Sequence, residues 1–163
     1  MKKKRIVSLL LSMIVCIAMM PVAVFADNET GEGTVGNQTT PDGVWTAYAT
    51  DSFEGGSGTK DDPYKIKTAE QLAKLAADIN SGIGDKEYTH SGEYFILTDN
   101  IDLSAHRWVP IGYYVINEGH QFSAYFNGNN KKITGLYVKE ERDDYSAGLF
   151  GAVGGITIEN VII

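Results

Sequence analysis

The sequence predicts a mainly β protein with a single amphipathic helix. Segments rich in β-branched and aromatic residues, each bounded by Gly, Asn or Asp, dominate the chain after residue 93 and predict strands at 94–97, 101–103, 121–126, 133–138 and 156–163. An apolar pattern also recurs with a period in the twenties, which is typical of one solenoid turn per repeat. The paired positions are Phe126 with Phe150, Ile133 with Ile158, Leu136 with Val161, and Val138 with Ile163. A small β-sandwich with glycine turns is the alternative fold.

Residues 1–26 have the pattern of an export signal. A basic start, Lys2 to Arg5, is followed by residues 6–26 without a charge, and the segment ends in Val24-Phe25-Ala26. We expect cleavage after Ala26. An uncleaved membrane anchor is the alternative, because 21 uncharged residues are long enough to cross a bilayer.

Removal of residues 1–26 changes the charge and the chemistry of the chain. It takes away four basic residues and no acid, which leaves 10 Lys+Arg against 21 Asp+Glu and a formal net charge of −11. Such a surface repels phosphate backbones, so we expect no nucleic-acid partner. Cys16 is the only cysteine and leaves with the signal, which excludes a disulfide, a thiol nucleophile and a Cys-ligated zinc.

Organised sequence is predicted to begin near Val44-Trp45. Residues 27–43 contain one aliphatic side chain, Val35, and read as a flexible linker. Residues 53–62 are a glycine-rich turn region closed by Pro63. A phosphate-binding loop is the alternative for these glycines, but no Gly-Lys-Ser/Thr ending follows them.

One helix is predicted directly after the short strand Tyr64-Lys65-Ile66. Thr68 and Gln71 form a capping box, and Gly82 supplies the stop. An apolar stripe runs along one face of this helix and predicts burial against the strands that follow. Its members are Leu72, Leu75, Ala76 and Ile79.

Several motifs of the chain, in order, resemble the GLUG-motif family of bacterial surface proteins, adhesins and immunoglobulin A proteases. The likeness covers about residues 53–163. It is carried by Phe53-Glu54-Gly55-Gly56-Ser57-Gly58-Thr59, Asp62 to Ile66, Thr68 to Leu72, Ile101 to Ser104, Trp108 to Gly112, Phe126-Asn127-Gly128, Ile133 to Leu136 and Gly148-Leu149-Phe150-Gly151. The resemblance implies the start of a right-handed parallel β-helix, with residues 69–80 capping its N-terminal end.

The corners of such coils need residues that tolerate unusual backbone angles. The candidate glycines are Gly128, Gly135, Gly148, Gly151, Gly154 and Gly155, and the candidate asparagines are Asn127, Asn129, Asn130 and Asn160. The last segment, Ile156 to Ile163, would present an unpaired apolar edge. We therefore expect residues 44–163 to be the cap and first coils of a β-helix domain truncated at its C-terminal end, with downstream coils of a longer chain as partner.

The search for catalytic chemistry is mostly negative. His90, His106 and His120 are isolated, and neither His-Glu-x-x-His nor Gly-x-Ser-x-Gly occurs. Asp102 with Arg107 could form a carbohydrate-cleaving site and Asp143/Asp144 a calcium site, but acids in Gly- and Asn-rich turns more often cap the backbone. The sequence predicts no catalytic, cofactor-binding or metal-binding residue.

Exposed aromatic residues are the remaining candidates for binding. Tyr113 and Tyr114 form one candidate loop; Tyr125, Tyr137 and Tyr145 could extend a face for a sugar or a protein. Trp108, beside Pro110 and Gly112, is expected to be structural.

Three functions remain open at this stage. The leading hypothesis is a non-catalytic β-helical module of a secreted or cell-surface bacterial protein, serving adhesion or display, with a host or cell-surface protein or glycan as partner. The alternatives are an ancillary N-terminal region of a secreted metallopeptidase and a carbohydrate-active β-helix enzyme.

Overall fold

Short strands and one helix make up the regular structure of the protein. The computed structural model describes residues 43–81, 90–115, 118–139, 147–155 and 157–163. The elements are a 3₁₀ helix, Trp45–Tyr48, the helix α1, Ala69–Ser81, and the strands β1 Tyr64–Ile66, β2 Tyr94–Leu97, β3 Ile101–Asp102, β4 Tyr113–Val115, β5 Glu118–His120, β6 Tyr125–Asn127, β7 Ile133–Thr134 and β8 Ile158–Glu159. The expectation of a mainly β fold with a little helix is confirmed. The predicted signal peptide and all but the last residue of the predicted linker lie outside the described residues.

The largest sheet consists of four parallel strands in the order β1-β2-β6-β8. Tyr64 pairs with Phe95, Phe95 with Phe126, and Phe126 with Ile158, so register partners follow one another at an almost constant interval. Because side chains alternate between the faces of a strand, these four lie on the face turned toward the core. The neighbouring positions Tyr94 and Tyr125 lie on the outer face.

Other parts of the chain also pair in parallel. Ile101 of β3 pairs with Ile133 of β7. Strands β4 and β5 differ, because they form an antiparallel hairpin. Isolated parallel bridges join Lys132 with Ile162, Ile111 with Phe150, and Phe122 with Val153.

Two asparagine side chains link the same successive segments. Asn129 Nδ2 donates to the Leu97 carbonyl at 3.1 Å, and Asn100 Oδ1 accepts the N–H of Lys132 at 2.8 Å. Each bond joins residues that are 32 positions apart in the sequence. These side-chain hydrogen bonds therefore recur at nearly the same sequence interval as the strand pairings.

The predicted apolar echo does not match the pairing. The echo predicts Ile133 opposite Ile158, but the Ile133 N–H donates to the carbonyl of Ile162 at 2.9 Å, and Ile158 pairs with Phe126. The reason is that the echo aligns apolar residues of two different sheets: Ile133 belongs to β7 and Ile158 to β8. Phe126 and Phe150 are not register partners either, although their rings pack together with centroids 5.3 Å apart.

The predicted helix and its cap are confirmed, with one shift. Thr68 Oγ1 accepts the N–H of Gln71 at 3.3 Å, and Gln71 Oε1 accepts the N–H of Lys67 at 2.8 Å rather than that of Thr68. All four residues of the apolar stripe are buried. Gly82, the predicted stop, lies outside the described residues. Asn80 fixes the end of α1: its Nδ2 donates to the Pro110 carbonyl and its Oδ1 accepts the N–H of Gly112, both at 2.9 Å.

The core contains large apolar side chains from α1 and from the strands. Its largest members include Trp108, Phe95, Phe122, Phe126, Leu72, Leu75, Ile66 and Ile133. The structural role expected for Trp108 is confirmed, since it is 2% exposed and its Nε1 donates to the Leu149 carbonyl at 3.0 Å. Trp45 is held in the same way, because its Nε1 donates to the Leu103 carbonyl at 2.9 Å. No helix among the described residues has the length and hydropathy required to cross a bilayer.

The predicted turns and corners are confirmed in part, since Gly128, Gly151 and Gly154 do not have a positive φ. In the predicted turn region, the N–H of Ser57 donates to the Asp62 carbonyl at 2.9 Å. Asn129, Asn130 and Asn160 have φ angles of 50°, 54° and 54°, as expected of corner residues. Asn127 is different, because it lies in β6.

Three predicted strands are shorter than expected. Among the described residues of the segments 121–126, 133–138 and 156–163, strands are formed at 125–127, 133–134 and 158–159. Left-handed corner residues shorten the last two. Gly135, with φ 68°, follows β7, and Asn160 follows β8.

Candidate functional site

A groove of about 260 Å³ lies on the outer face of the four-stranded sheet. Its floor follows from strand alternation: Phe95 and Phe126 point into the core, so the residues before them, Tyr94 and Tyr125, point outward. Their rings are almost parallel, at 5°, with centroids 4.3 Å apart. That separation follows the spacing of about 4.8 Å between neighbouring strands. Tyr125 is 40% exposed.

Polar side chains flank the aromatic pair. Asn127 Nδ2 donates to Glu159 Oε1 at 2.9 Å, and Asn127 Oδ1 accepts from Asn160 Nδ2 at 3.2 Å. These bonds hold the Glu159 carboxylate beside the groove, which it lines together with Thr157 and Lys60. The groove therefore combines an aromatic surface with a hydrogen-bond acceptor and a cationic donor.

A second cluster of charged side chains joins α1 to the turn before β2. Asp78 Oδ2 lies 2.8 Å from Lys74 Nζ and 3.2 Å from His90 Nε2, while His90 Nδ1 bonds Glu93 Oε2. The His90 ring also meets the Phe95 ring edge-on, with centroids 5.2 Å apart. These four polar groups carry two positive and two negative charges when His90 is protonated.

Each charged group of this cluster stabilises the charged form of its oppositely charged neighbours. Burial alone would lower the pKa of His90, but hydrogen bonds to Asp78 and Glu93 outweigh it and raise the pKa. Burial alone would raise the pKa of Asp78, but its bonds to His90 and Lys74 lower it. Two carboxylates that stabilise the protonated form of a histidine make the neutral form needed by a general base less available. The arrangement instead fixes α1 to the turn at His90, and the neighbouring cavity of about 330 Å³ opens beside it.

The three histidines that the sequence presents as isolated have defined surroundings. His90 belongs to the charged cluster. His106 stacks on Tyr48 with centroids 3.9 Å apart and meets Trp45 edge-on at 4.8 Å. His120 is 7% exposed and its ring lies 4.9 Å from that of Tyr113. Within the described ranges, no three His, Cys, Asp or Glu side chains are arranged to hold a metal ion.

Asp102, the acidic residue considered for catalysis, lies in β3, and Asp99 lies in the bend before that strand. Asp102 is exposed, and its Oδ1 accepts the N–H of Ser104 at 2.9 Å, which lowers the pKa of its carboxyl group. Asp99 Oδ1 accepts the N–H of Asn100 at 2.8 Å. Both carboxylates thus cap the backbone. Asp143 and Asp144 lie outside the described residues.

The aromatic candidates of the sequence are spread over separate surfaces. Tyr113 lies on the β4–β5 hairpin beside His120, and Tyr114 on the same hairpin is 61% exposed. Tyr137 is half-buried, and its carbonyl accepts the N–H of Trp108 at 2.7 Å. Of these candidates, only Tyr125 lines the groove. Tyr145 lies outside the described residues.

Sequence reasoning missed Tyr94, the partner of Tyr125. A signal for it exists, because the dipeptide Tyr94-Phe95 recurs as Tyr125-Phe126. The two dipeptides are register partners in β2 and β6, so identical side chains fall on the same face of neighbouring strands.

The chain is similar in sequence to a known bacterial protein. The chain is 34% identical over 108 residues to a protein of Evansella cellulosilytica provisionally named a Gly-rich membrane protein. The match covers 63% of this chain and 11% of the length of that protein. No family model matches the chain, and no solved structure matches it.

Proposed function

We propose that the chain is a non-catalytic β-helical module of an exported bacterial cell-surface protein, serving adhesion or display. The observation that carries this proposal is the repeated parallel pairing at an almost constant interval, from Tyr64 through Phe95 and Phe126 to Ile158. A chain that returns to the same line at a constant interval, always in the same direction, has the geometry of stacked coils. Parallel crossovers of this kind are right-handed in nearly all proteins.

A second line of pairing supports the same interpretation. Ile101 pairs with Ile133, and Lys132 bridges to Ile162. An isolated pair of parallel strands would need only one such line, whereas a coil repeats its contacts on each of its sides. The resemblance of residues 53–163 to GLUG-motif proteins agrees with this arrangement, and we propose that the chain belongs with them.

We assign α1 the role of the N-terminal cap. The helix buries its apolar stripe and reaches, through Asn80, the backbone of Pro110 and Gly112. At the other end of the sheet, apolar side chains are exposed on and after β8, with Ile158 at 37%, Ile162 at 41% and Ile163 at 69%. We propose that this surface receives a further coil of the same longer polypeptide.

The surface location rests on the signal-like segment 1–26. The description of the similar protein as a membrane protein is compatible with it. Adhesion also requires a binding surface, and the groove over Tyr94 and Tyr125 is the best candidate in the described part of the chain.

Export tests this proposal first. The full chain is expressed in a bacterial host, and the protein recovered from the medium and envelope is sequenced from its N-terminus. We expect a new N-terminus at Asp27. Retention in the cytoplasm with Met1 or Lys2 at the N-terminus would overturn the surface assignment. A matched variant, Leu10→Arg, places a charge in the apolar segment and should abolish export.

Adhesion is tested with the exported protein. Beads coated with it should retain bacterial or host cells above the level of albumin-coated beads. If the coated beads retain no more cells than the albumin-coated beads, adhesion is excluded and display is the remaining proposed role.

A further inference from the structure

The tyrosine stack on the outer face of the sheet stops one strand before the edge. The rings of Tyr94 and Tyr125 cover one face of each other, because they are 4.3 Å apart and nearly parallel. On the next strand, the position beside Tyr125 is Thr157, because Thr157 precedes Ile158, the register partner of Phe126. The Thr157 carbonyl accepts the Phe126 N–H at 3.0 Å. Threonine carries no ring. Among the described residues, therefore, no second ring stacks on the face of Tyr125 that is turned toward β8.

The open space beside that face has the size of a small ligand site. The groove of about 260 Å³ is lined by Tyr125, Thr157 and Glu159, among others. Pockets for drug-sized ligands typically measure about 300–1,000 Å³, so this groove fits a single ring-sized unit better than an extended molecule. A protein partner would need a much larger contact area.

Charge and hydrogen bonding narrow the class of ligand. One carboxylate oxygen of Glu159 is bonded by Asn127, which leaves Oε2 as an acceptor for a further donor. Lys60, on the same groove, offers a donor. The Glu159 carboxylate beside the groove and the net charge of −11 on the chain after residue 26 repel anionic ligands. The complementary ligand is uncharged, rich in hydroxyl groups and flat and apolar on one face.

We propose that Tyr125, Thr157 and Glu159 form a subsite for one neutral hexopyranose unit of a glycan. The C–H face of the sugar ring stacks on Tyr125, and its hydroxyl groups bond Glu159 Oε2 and the Thr157 hydroxyl. This inference deepens the proposed adhesion function and rests on it for access to a glycan outside the cell.

Affinity electrophoresis of the full chain tests the subsite. The native gels contain a mannan, a galactomannan, a mixed-linkage glucan or, as the acidic counterpart, polygalacturonate. We expect at least one neutral polysaccharide to retard the protein and polygalacturonate to leave its mobility unchanged. No retardation by any of the three neutral polymers, or retardation by polygalacturonate alone, would overturn the proposal.

Variants localise the binding. Tyr125→Ala should weaken it about five-fold or more, the loss expected from one aromatic stacking contact, and Tyr125→Phe should retain it. Tyr114→Ala is the matched control, because Tyr114 is exposed but lies on the β4–β5 hairpin. Equal losses in Tyr125→Ala and Tyr114→Ala would refute the assignment to this groove.

A larger side chain at position 157 provides a test that leaves Tyr125 in place. Thr157→Tyr should extend the stack by a third ring, fill the groove beside Tyr125 and abolish retardation without lowering thermal stability. Unchanged retardation in this variant would exclude the groove as the binding site. The outcome is separable from the export experiment: an exported chain that binds none of the neutral polymers refutes only the subsite, and a glycan-binding chain retained in the cytoplasm refutes only the surface function.

Discussion

Phe126→Ala should remove a large part of the stability of the protein. Phe126 is 1% exposed and lies in the third strand of the sheet, in register with Phe95 before it and Ile158 after it. Its ring packs against those of Phe150 at 5.3 Å and Phe122 at 6.4 Å. Truncation removes these ring contacts and leaves a cavity that the surrounding rings fill only partly.

The magnitude follows from burial and the cavity. Burying a Phe side chain stabilises by about 1.5–3 kcal/mol, and the residual cavity brings the cost of Phe→Ala to about 3–5 kcal/mol. A single domain is stable by about 5–15 kcal/mol, so the variant loses about a fifth or more of that. With an m value of about 2 kcal/mol per M, the urea midpoint should fall by about 2 M.

Urea unfolding followed by tryptophan fluorescence measures this loss, because Trp45 and Trp108 are both buried. Tyr114→Ala, at a 61% exposed position, is the control and should change stability by less than about 0.5 kcal/mol. Phe126→Leu, with a smaller expected cost, keeps the test usable if the alanine variant does not fold. A loss below about 1 kcal/mol for Phe126→Ala would refute the packing of Phe126 in the core.

Three further variants test other parts of the structure. Gly128→Ala places a Cβ 2.5 Å from the Asn160 carbonyl oxygen and should destabilise by about 1–3 kcal/mol, whereas Gly55→Ala, with no atom within 4 Å of the added Cβ, should be nearly neutral by urea unfolding. Thr68→Ala should lower the melting temperature by the equivalent of about 1 kcal/mol through loss of the helix N-cap; an unchanged value would contradict the cap. His90→Gln removes an ion-paired group whose folded-state pKa is raised, so its stabilisation is full below about pH 6.5 and fades as the pH rises through the folded-state pKa. The stability deficit of His90→Gln should therefore shrink between about pH 5.5 and pH 8.5, and a deficit that grows over this range would exclude the ion pairs.

Local features of the structure were accessible from the sequence. The cap at Thr68, the apolar stripe of α1 and the structural role of Trp108 each depend on neighbouring residues or on side-chain type, and all are confirmed. The left-handed corners at Asn129 and Asn160 follow from the tolerance of asparagine for that conformation.

Long-range features were less accessible, for a physical reason. Register depends on the number of residues between successive strands, and the apolar echo aligned Ile133 with Ile158, which lie in different sheets. With that alignment, the recurrence of Tyr94-Phe95 as Tyr125-Phe126 was not recognised as a pair of register partners. The charged cluster was missed similarly, because the path of the chain between Asp78 and His90 decides whether the two meet.

Cross-strand nuclear Overhauser effects test the parallel pairing of successive strands at an almost constant interval. We expect contacts between the backbone protons of residues at and beside the pairs Phe95–Phe126, Phe126–Ile158 and Ile101–Ile133, in the pattern of parallel strands. Contacts in an antiparallel pattern, or contacts that place Ile133 beside Ile158, would contradict it.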